Sequence, residues 1–281
     1  LDAMFRFVAS LLVLLSFLMP AAAPPAIAAP ATQAAPQAKP AAKSAPPKTT
    51  PNSKQASPAE AGACDIGLIS TVANRFGVQQ VGFTMFGNEY TPVPVDGWRL
   101  DDLVMSRVRA AASGKSVRRI AYSQGAWVRA AESGSPMLRR NRERQEFVRQ
   151  NVANSRCQRY VLVERFQNGF SNTNQSVEGF GIVKWGNPIK RRTFLFALTY
   201  ITVYDGQSFE VINKGAATLD AEPMMSRVLG LNPISGPHQE LDETAFPSTP
   251  AAVAANSKLR DGVRALLTTS LDRTLPRLLQ Q

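Results

Sequence analysis

The run Arg192 to Tyr204 carries apolar side chains on both of its faces. Leu195, Ala197, Ile201 and Val203 alternate with Phe194, Phe196, Leu198, Tyr200 and Tyr204. Successive strand residues point to opposite sides, so this segment needs cover above and below. It predicts a central strand buried between packed layers. Val177 to Trp185 reads as its antiparallel partner. Asp205-Gly206 is a hairpin signal, and Ser208 to Lys214 reads as the next strand.

Upstream, residues 65–73 and Val78 to Phe86 read as strands, followed by a polar, proline-containing loop from Gly87 to Val95. Asp96 makes a helix N-cap, with Asp101 and Asp102 in the first turn. That helix, about 98–112, lines up Leu100, Leu103, Val104, Val108 and Ala111 on one face. Val117 to Tyr122 is a third strand. Leu138, Asn141, Gln145, Val148 and Val152 mark one side of a helix over about 137–154, and 158–165 is a further strand. Residues 220–257 are irregular, with a helical stretch at Met224 to Leu229. Leu259, Val263, Leu266, Leu267, Leu271 and Leu278 set a final helix over about 256–279, which Pro276 ends or kinks early. The pattern predicts a single α/β (α+β) domain with a mixed β-sheet and helices packed on it. A C-terminal antiparallel meander and a helix complete it.

Residues 1–28 carry an export-signal pattern. Arg6 is followed by an apolar run from Phe7 to Met19 and by Ala26-Ile27-Ala28, an A-x-A cleavage site. The run falls short of the ~20 residues a membrane span needs, and an uncleaved anchor is the alternative. Residues 29–62 are almost all Ala, Pro, Lys, Ser, Thr and Gln. Such a segment buries too little apolar surface to offset its ordering entropy, so it reads as a disordered linker. Residues 63–281 remain for one globular domain.

The net charge is +11. Arginines cluster at Arg118–Arg119, through Arg139, Arg140, Arg142, Arg144 and Arg149, and with Lys190 at Arg191 and Arg192. A basic surface attracts anionic partners. Export directs that attraction to an anionic envelope component or an envelope protein, and no nucleic-acid motif is present. A solvated basic face without a ligand is the bland alternative.

Cys64 and Cys157 each precede a strand-like run. If those strands are parallel neighbours, the cysteines lie at matching ends and form a disulfide, as an oxidising compartment permits. Lipidation of Cys64 is the alternative. Two cysteines and one histidine provide no zinc-ligand set, and no cofactor motif is complete.

Ile66-Gly67-Leu68-Ile69-Ser70, then Val81 to Glu89, then Trp98-Arg99-Leu100-Asp101 resemble a group of uncharacterised secreted proteobacterial proteins. Gly179-Phe180-Gly181-Ile182 and Tyr204-Asp205-Gly206 fit the same group. The likeness covers most of residues 65–215. Its motifs are turns and core positions, so it implies no mechanism and no site residues. The order of elements is also similar to envelope modules such as the N-terminal domain of the translocation protein TolB, by topology alone.

Ala121-Tyr122-Ser123-Gln124-Gly125 resembles the nucleophile elbow of cutinase-like α/β-hydrolases, with alanine where that family has glycine. Asp205 or Asp220 then stands as the acid and His238 as the base. The triad requires His238 to reach Ser123 and to be oriented by the carboxylate. Yet His238 sits in a long polar loop, and the later strands read as antiparallel. Gly179-Phe180-Gly181 lacks the rest of a dinucleotide loop and reads as close backbone packing. Glu164 and Glu178 are a possible acid–base pair for glycan cleavage, with a solvated strand face as the plainer reading.

The sequence therefore points to a periplasmic or secreted, non-catalytic binding or scaffolding module of the envelope. A secreted serine hydrolase using Ser123, His238 and Asp220 is the alternative. The mature chain is expected to lack a transmembrane span, and its oligomeric state is not encoded in these patterns. Alkylation of the oxidised, denatured protein is expected to find no free thiol. Two reactive thiols would show that Cys64 and Cys157 are unpaired.

Overall fold

A computed structural model describes residues 64–72, 75–82, 88–132, 137–170, 173–186, 191–219 and 233–280, with backbone alone at 132 and 137–140. The export signal, the linker, the 224–229 helix, Asp220 and Lys190 lie outside the described residues.

The strands in chain order are β1 (Cys64–Ser70), β2 (Arg75–Val81), β3 (Glu89–Pro94), β4 (Val117–Arg119), β5 (Cys157–Arg165) and β6 (Gln167–Gly169). They continue as β7 (Ser176–Glu178), β8 (Phe180–Gly186), β9 (Arg191–Ala197), β10 (Thr199–Asp205), β11 (Val211–Ala216) and β12 (His238–Leu241). The helices are α1 (Leu100–Ala111), α2 (Gln124–Glu132), α3 (Met137–Asn151) and α4 (Ser257–Leu279). The fold is α+β, with mixed sheets and a C-terminal helix.

The strands form two five-stranded sheets, ordered β11-β10-β5-β1-β4 and β12-β9-β8-β2-β3, beside a small β6–β7 hairpin. In the first sheet β1 pairs in parallel with β4 and β5, and β10 joins β5 antiparallel. In the second, β2 pairs in parallel with β8, while β3, β9 and β12 join antiparallel.

The two-faced run from Arg192 to Tyr204 is therefore not one strand. It leaves the second sheet as β9 and enters the first as β10, breaking at Leu198. The expected meander is accordingly split: β8–β9 is one hairpin, β10–β11 another, and they lie in different sheets. The alternation itself survives the break. Leu195, Ala197, Ile201 and Val203 all enter the main core. Phe194, Phe196 and Leu198 pack beneath the second sheet, and Tyr204 packs under α2–α3.

The main core joins both sheets through α1 and α4. Ile66, Leu68, Val161 and Val163 from the first sheet meet Phe76, Val78, Ile182 and Leu195 from the second. Helix α4 supplies Leu259, Val263, Leu266, Leu267, Leu271 and Leu275 to the same core. Asn256 caps it by accepting from the Leu259 amide at 3.1 Å. Pro276 lies within its last turn, and the helix runs on to Leu279. Only a late ladder bond is lost there, because the carbonyl that Pro276 leaves unpaired belongs to exposed Asp272.

On the opposite face of the first sheet, α2 and α3 place Trp127, Phe147, Val148 and Val152 against Ile69, Tyr160 and Leu162. Cys64 and Cys157 are register partners in the β1–β5 ladder, with Cα atoms 4.4 Å apart, and are disulfide-bonded. The parallel-neighbour reading of the cysteines is thus correct. Closing a loop of this length stabilises the fold by roughly 4–5 kcal/mol on the chain-entropy account.

Other expectations shift for local reasons. The proline-containing loop after β2 holds an edge strand, β3, where Pro92 and Pro94 are tolerated because one side of an edge makes no ladder. Asp96 does not cap α1. It heads a short 3-10 turn, Asp96–Trp98, and Arg99 at φ 52° forms the joint to the helix. The polar loop holding His238 forms β12, which borrows its order from the β9 edge.

Gly181 shows how tightly the second sheet is packed. A Cβ there would lie 2.5 Å from the Phe196 ring and 2.6 Å from the Gly77 carbonyl oxygen. Backbone cannot yield as a flexible side chain can. Gly181→Ala is expected to destabilise the protein by about 1–3 kcal/mol, read as a lower denaturant midpoint with an unchanged m-value. An unchanged midpoint would contradict this packing.

Candidate functional site

Helices α2 and α3 cover β1 and β5 but leave part of β10 and β11 open. The gap is a cleft of about 540 Å³. Its roof is one face of α2, where Gln124, Trp127, Val128 and Ala131 follow i, i+3, i+4, i+7 spacing, joined by Asn141 and Arg144 of α3. Its floor is Tyr200, Thr202 and Tyr204, alternate residues of β10, with Glu164 of β5 and Val211 and Lys214 of β11. Phe166, Gln167, Arg165, Glu178 and Arg75 complete one end.

Register explains the floor. Tyr200 stands opposite Glu164, Thr202 opposite Lys214, and Tyr204 opposite Val211. The odd-numbered β10 residues Ile201 and Val203 are committed to the main core, so the even-numbered ones face the cleft.

Glu164 is buried, not solvated as its strand alternation suggested. Arg144 Nε donates to Glu164 Oε2 at 2.7 Å, and the same guanidinium lies 6.0 Å from the Trp127 ring centroid. Glu178 Oε1 faces two cations, Arg75 Nη2 at 3.3 Å and Arg165 Nε at 3.4 Å. Burial, then the neighbouring Arg75, push the Arg165 pKa down, and Glu178 opposes them. Among the described residues the cleft lining thus holds four cationic side chains, Arg75, Arg144, Arg165 and Lys214, against two carboxylates. Burial, then the Glu164 carboxylate, raise the pKa of Tyr200 and of Tyr204. Both phenols therefore remain protonated donors at neutral pH. Phe166 stacks on Tyr200 with ring centroids 5.5 Å apart.

Behind this end lie the C-terminal ends of the parallel strands β1, β4 and β5, where ligands collect in open α/β sheets. Ser70 Oγ donates to Asp101 Oδ1 at 2.6 Å. Burial raises the Asp101 pKa despite that bond. Tyr122 is pushed up to about 12 by burial and then by the Asp101 carboxylate.

The hydrolase residues are dispersed. Ser123 follows β4, the edge of the first sheet, and caps α2: its Oγ accepts from the Ala126 amide at 3.4 Å. Asp205 sits at the other end of that sheet, opposite Arg159 in register, and binds the Gln207 and Ser208 amides. Those bonds, that to the Ser208 amide foremost, hold its carboxyl below the usual range. His238 opens β12 on the second sheet. Its Nδ1 is 2.8 Å from the Gly236 carbonyl, and its ring meets Phe194 edge-on. Among the described residues no hydrogen bond joins Ser123, Asp205 and His238. The structure does bring Glu164 and Glu178 to one cleft, each against arginine. Among the described residues, no group of three or more His, Cys, Asp or Glu is arranged to hold a metal ion.

Sequence reasoning missed the cationic set of this cleft. Two signals were present. The face that begins with Phe194, Phe196 and Leu198 turns polar at Tyr200, Thr202 and Tyr204, and Glu164-Arg165 ends the apolar run Val161-Leu162-Val163 with charge.

No protein-family model and no curated protein matches this chain. A crystal structure of a Xanthomonas campestris protein of the DUF330 family shares 9% identity with it, spanning 76% of this chain and 85% of that one, at a TM-score of 0.28. A likeness of that degree carries no argument about what this chain does.

The Arg144–Glu164 pair gives a direct test of the cleft floor, since its side chains are only 15% and 5% exposed. Arg144→Met is expected to cost roughly 3–5 kcal/mol by stranding buried charge. Adding Glu164→Met should recover most of the loss. Equal, additive losses in denaturant unfolding would show that the two side chains are not coupled.

Proposed function

We propose that this chain is a non-catalytic binding module of the cell envelope, periplasmic or secreted, whose ligand site is the cleft under α2 and α3. In this reading residues 1–28 direct export, residues 29–62 tether the domain, and residues 63–281 form it. The observation that carries the reading is the cleft itself. Among the described residues its cations outnumber its carboxylates and converge on one concave surface of ligand size.

A further fact supports it: the Cys64–Cys157 bond suits an oxidising compartment. Among the described residues no helix is long and apolar enough to cross a membrane.

The rim of the cleft is open to a partner. Val128 of α2 and Val211 of β11 both line it, at 37% and 42% exposure. Apolar side chains left wet at the mouth of a basic cleft favour an occupant that covers them. A photo-crosslinking residue at position 128 in intact cells is expected to capture a discrete envelope adduct. The same residue at Ala265, exposed on α4, should not. Equal labelling at both positions, or none at 128, would overturn the proposed site.

A further inference from the structure

The two ends of the cleft differ in chemistry. At one end Arg75 and Arg165 both reach the carboxylate of Glu178. Toward the other, the floor passes to Tyr204 and Val211 under the apolar side chains of α2. From Tyr200 to Tyr204 the floor runs about 13 Å, at about 3.3 Å per residue. Lys214 stands midway, opposite Thr202. It makes no ion pair among the described residues.

From this polarity we infer that the cleft takes a single-chain anionic amphiphile: an oxyanion of the phosphate class at the Arg75–Arg165 end, with an apolar chain along α2 and β11. The inference rests on the cleft being the ligand site. A small anion alone satisfies the arginines but leaves Val128 and Val211 wet. A neutral apolar molecule covers the valines but places no negative charge against the cations that line the cleft. An amphiphile meets both demands in one molecule. Tyr200 and Gln124, both in the lining, offer neutral donors to the headgroup. Trp127 gives the chain an aromatic wall, its indole plane fixed by Phe147 at 5.1 Å.

The amphiphile explains why the cleft keeps two ion pairs partly out of water. Buried pairs contribute little net stability against well-packed apolar residues. Their use here is to hold cations in place for an anion.

Calorimetric titration of the whole chain with monomeric dodecyl phosphate, below its micelle concentration, tests this directly. Saturable binding of one molecule per chain is expected. Arg75→Gln and Lys214→Gln should each weaken it at least about tenfold, with circular dichroism and melting unchanged from the parent. Val128→Asp should weaken dodecyl phosphate too. Inorganic phosphate should bind far more weakly, and dodecyltrimethylammonium should not saturate. Inorganic phosphate binding as tightly as the ester would overturn the apolar half of the inference. Equal binding of the cationic amphiphile would overturn the anionic half, and no saturable binding of dodecyl phosphate would overturn both. Because the crosslink at position 128 is read in cells without any added ligand, a positive crosslink with a failed titration rejects the amphiphile and keeps the cleft. Loss of the crosslink rejects the site.

Discussion

The chain crosses between its two sheets at Leu198, and the site depends on how that crossing is hydrogen-bonded. A strand that leaves one ladder for another frees backbone groups, and buried backbone groups need partners. The Leu198 amide donates to the Gly179 carbonyl at 2.7 Å, and its carbonyl accepts from the Phe166 amide at 3.0 Å. The Gly179 amide closes the set on the Phe166 carbonyl at 3.0 Å. Gly179 adopts φ +63°, and the Arg165 side chain fills the space a Cβ would take. This knot fixes the end of β5 beside the end of β7. It therefore sets Arg165 against Glu178 and lays Phe166 on Tyr200.

From that knot the rest of the cleft follows. The break at Leu198 lets β10 keep its odd residues in the main core while its even residues face α2 and α3. Were the run one straight strand, Phe194, Phe196, Leu198, Tyr200 and Tyr204 would share one covering layer. Instead Phe194, Phe196 and Leu198 go under the second sheet, and the tyrosines go to the cleft. The disulfide fastens the other end of the same sheet, where β1 and β5 begin. One sheet is thus tied at its start by a covalent bond and at its far end by a hydrogen-bonded crossing. The tyrosine floor lies between them.

The charges of the cleft are arranged so that the buried ones are paired. A charge removed from water costs several kcal/mol unless it is paired, and each carboxylate here is paired with arginine. Lys214 stays exposed and solvated. The positive excess is kept at the surface of the cleft and not within the core.

Periodicity determined much of this protein by itself. The α4 leucines, the β1 and β5 runs, the Asp205-Gly206 turn and the alternation through Arg192–Tyr204 all placed their side chains on the correct faces, because face is a local property of φ and ψ. The cysteine pairing was legible for the same reason: two similar runs with cysteine at the same offset pair in register. Which sheet a strand joins is not local. The break at Leu198 is decided by contacts with Phe166 and Gly179, distant in sequence. Strand β12 takes its order from β9, and β3 tolerates its prolines only because it is an edge. The burial of Glu164 required Arg144 to arrive from α3. The tertiary structure alone decided the cleft, since a concave surface exists only where elements remote in the chain fail to close over one another.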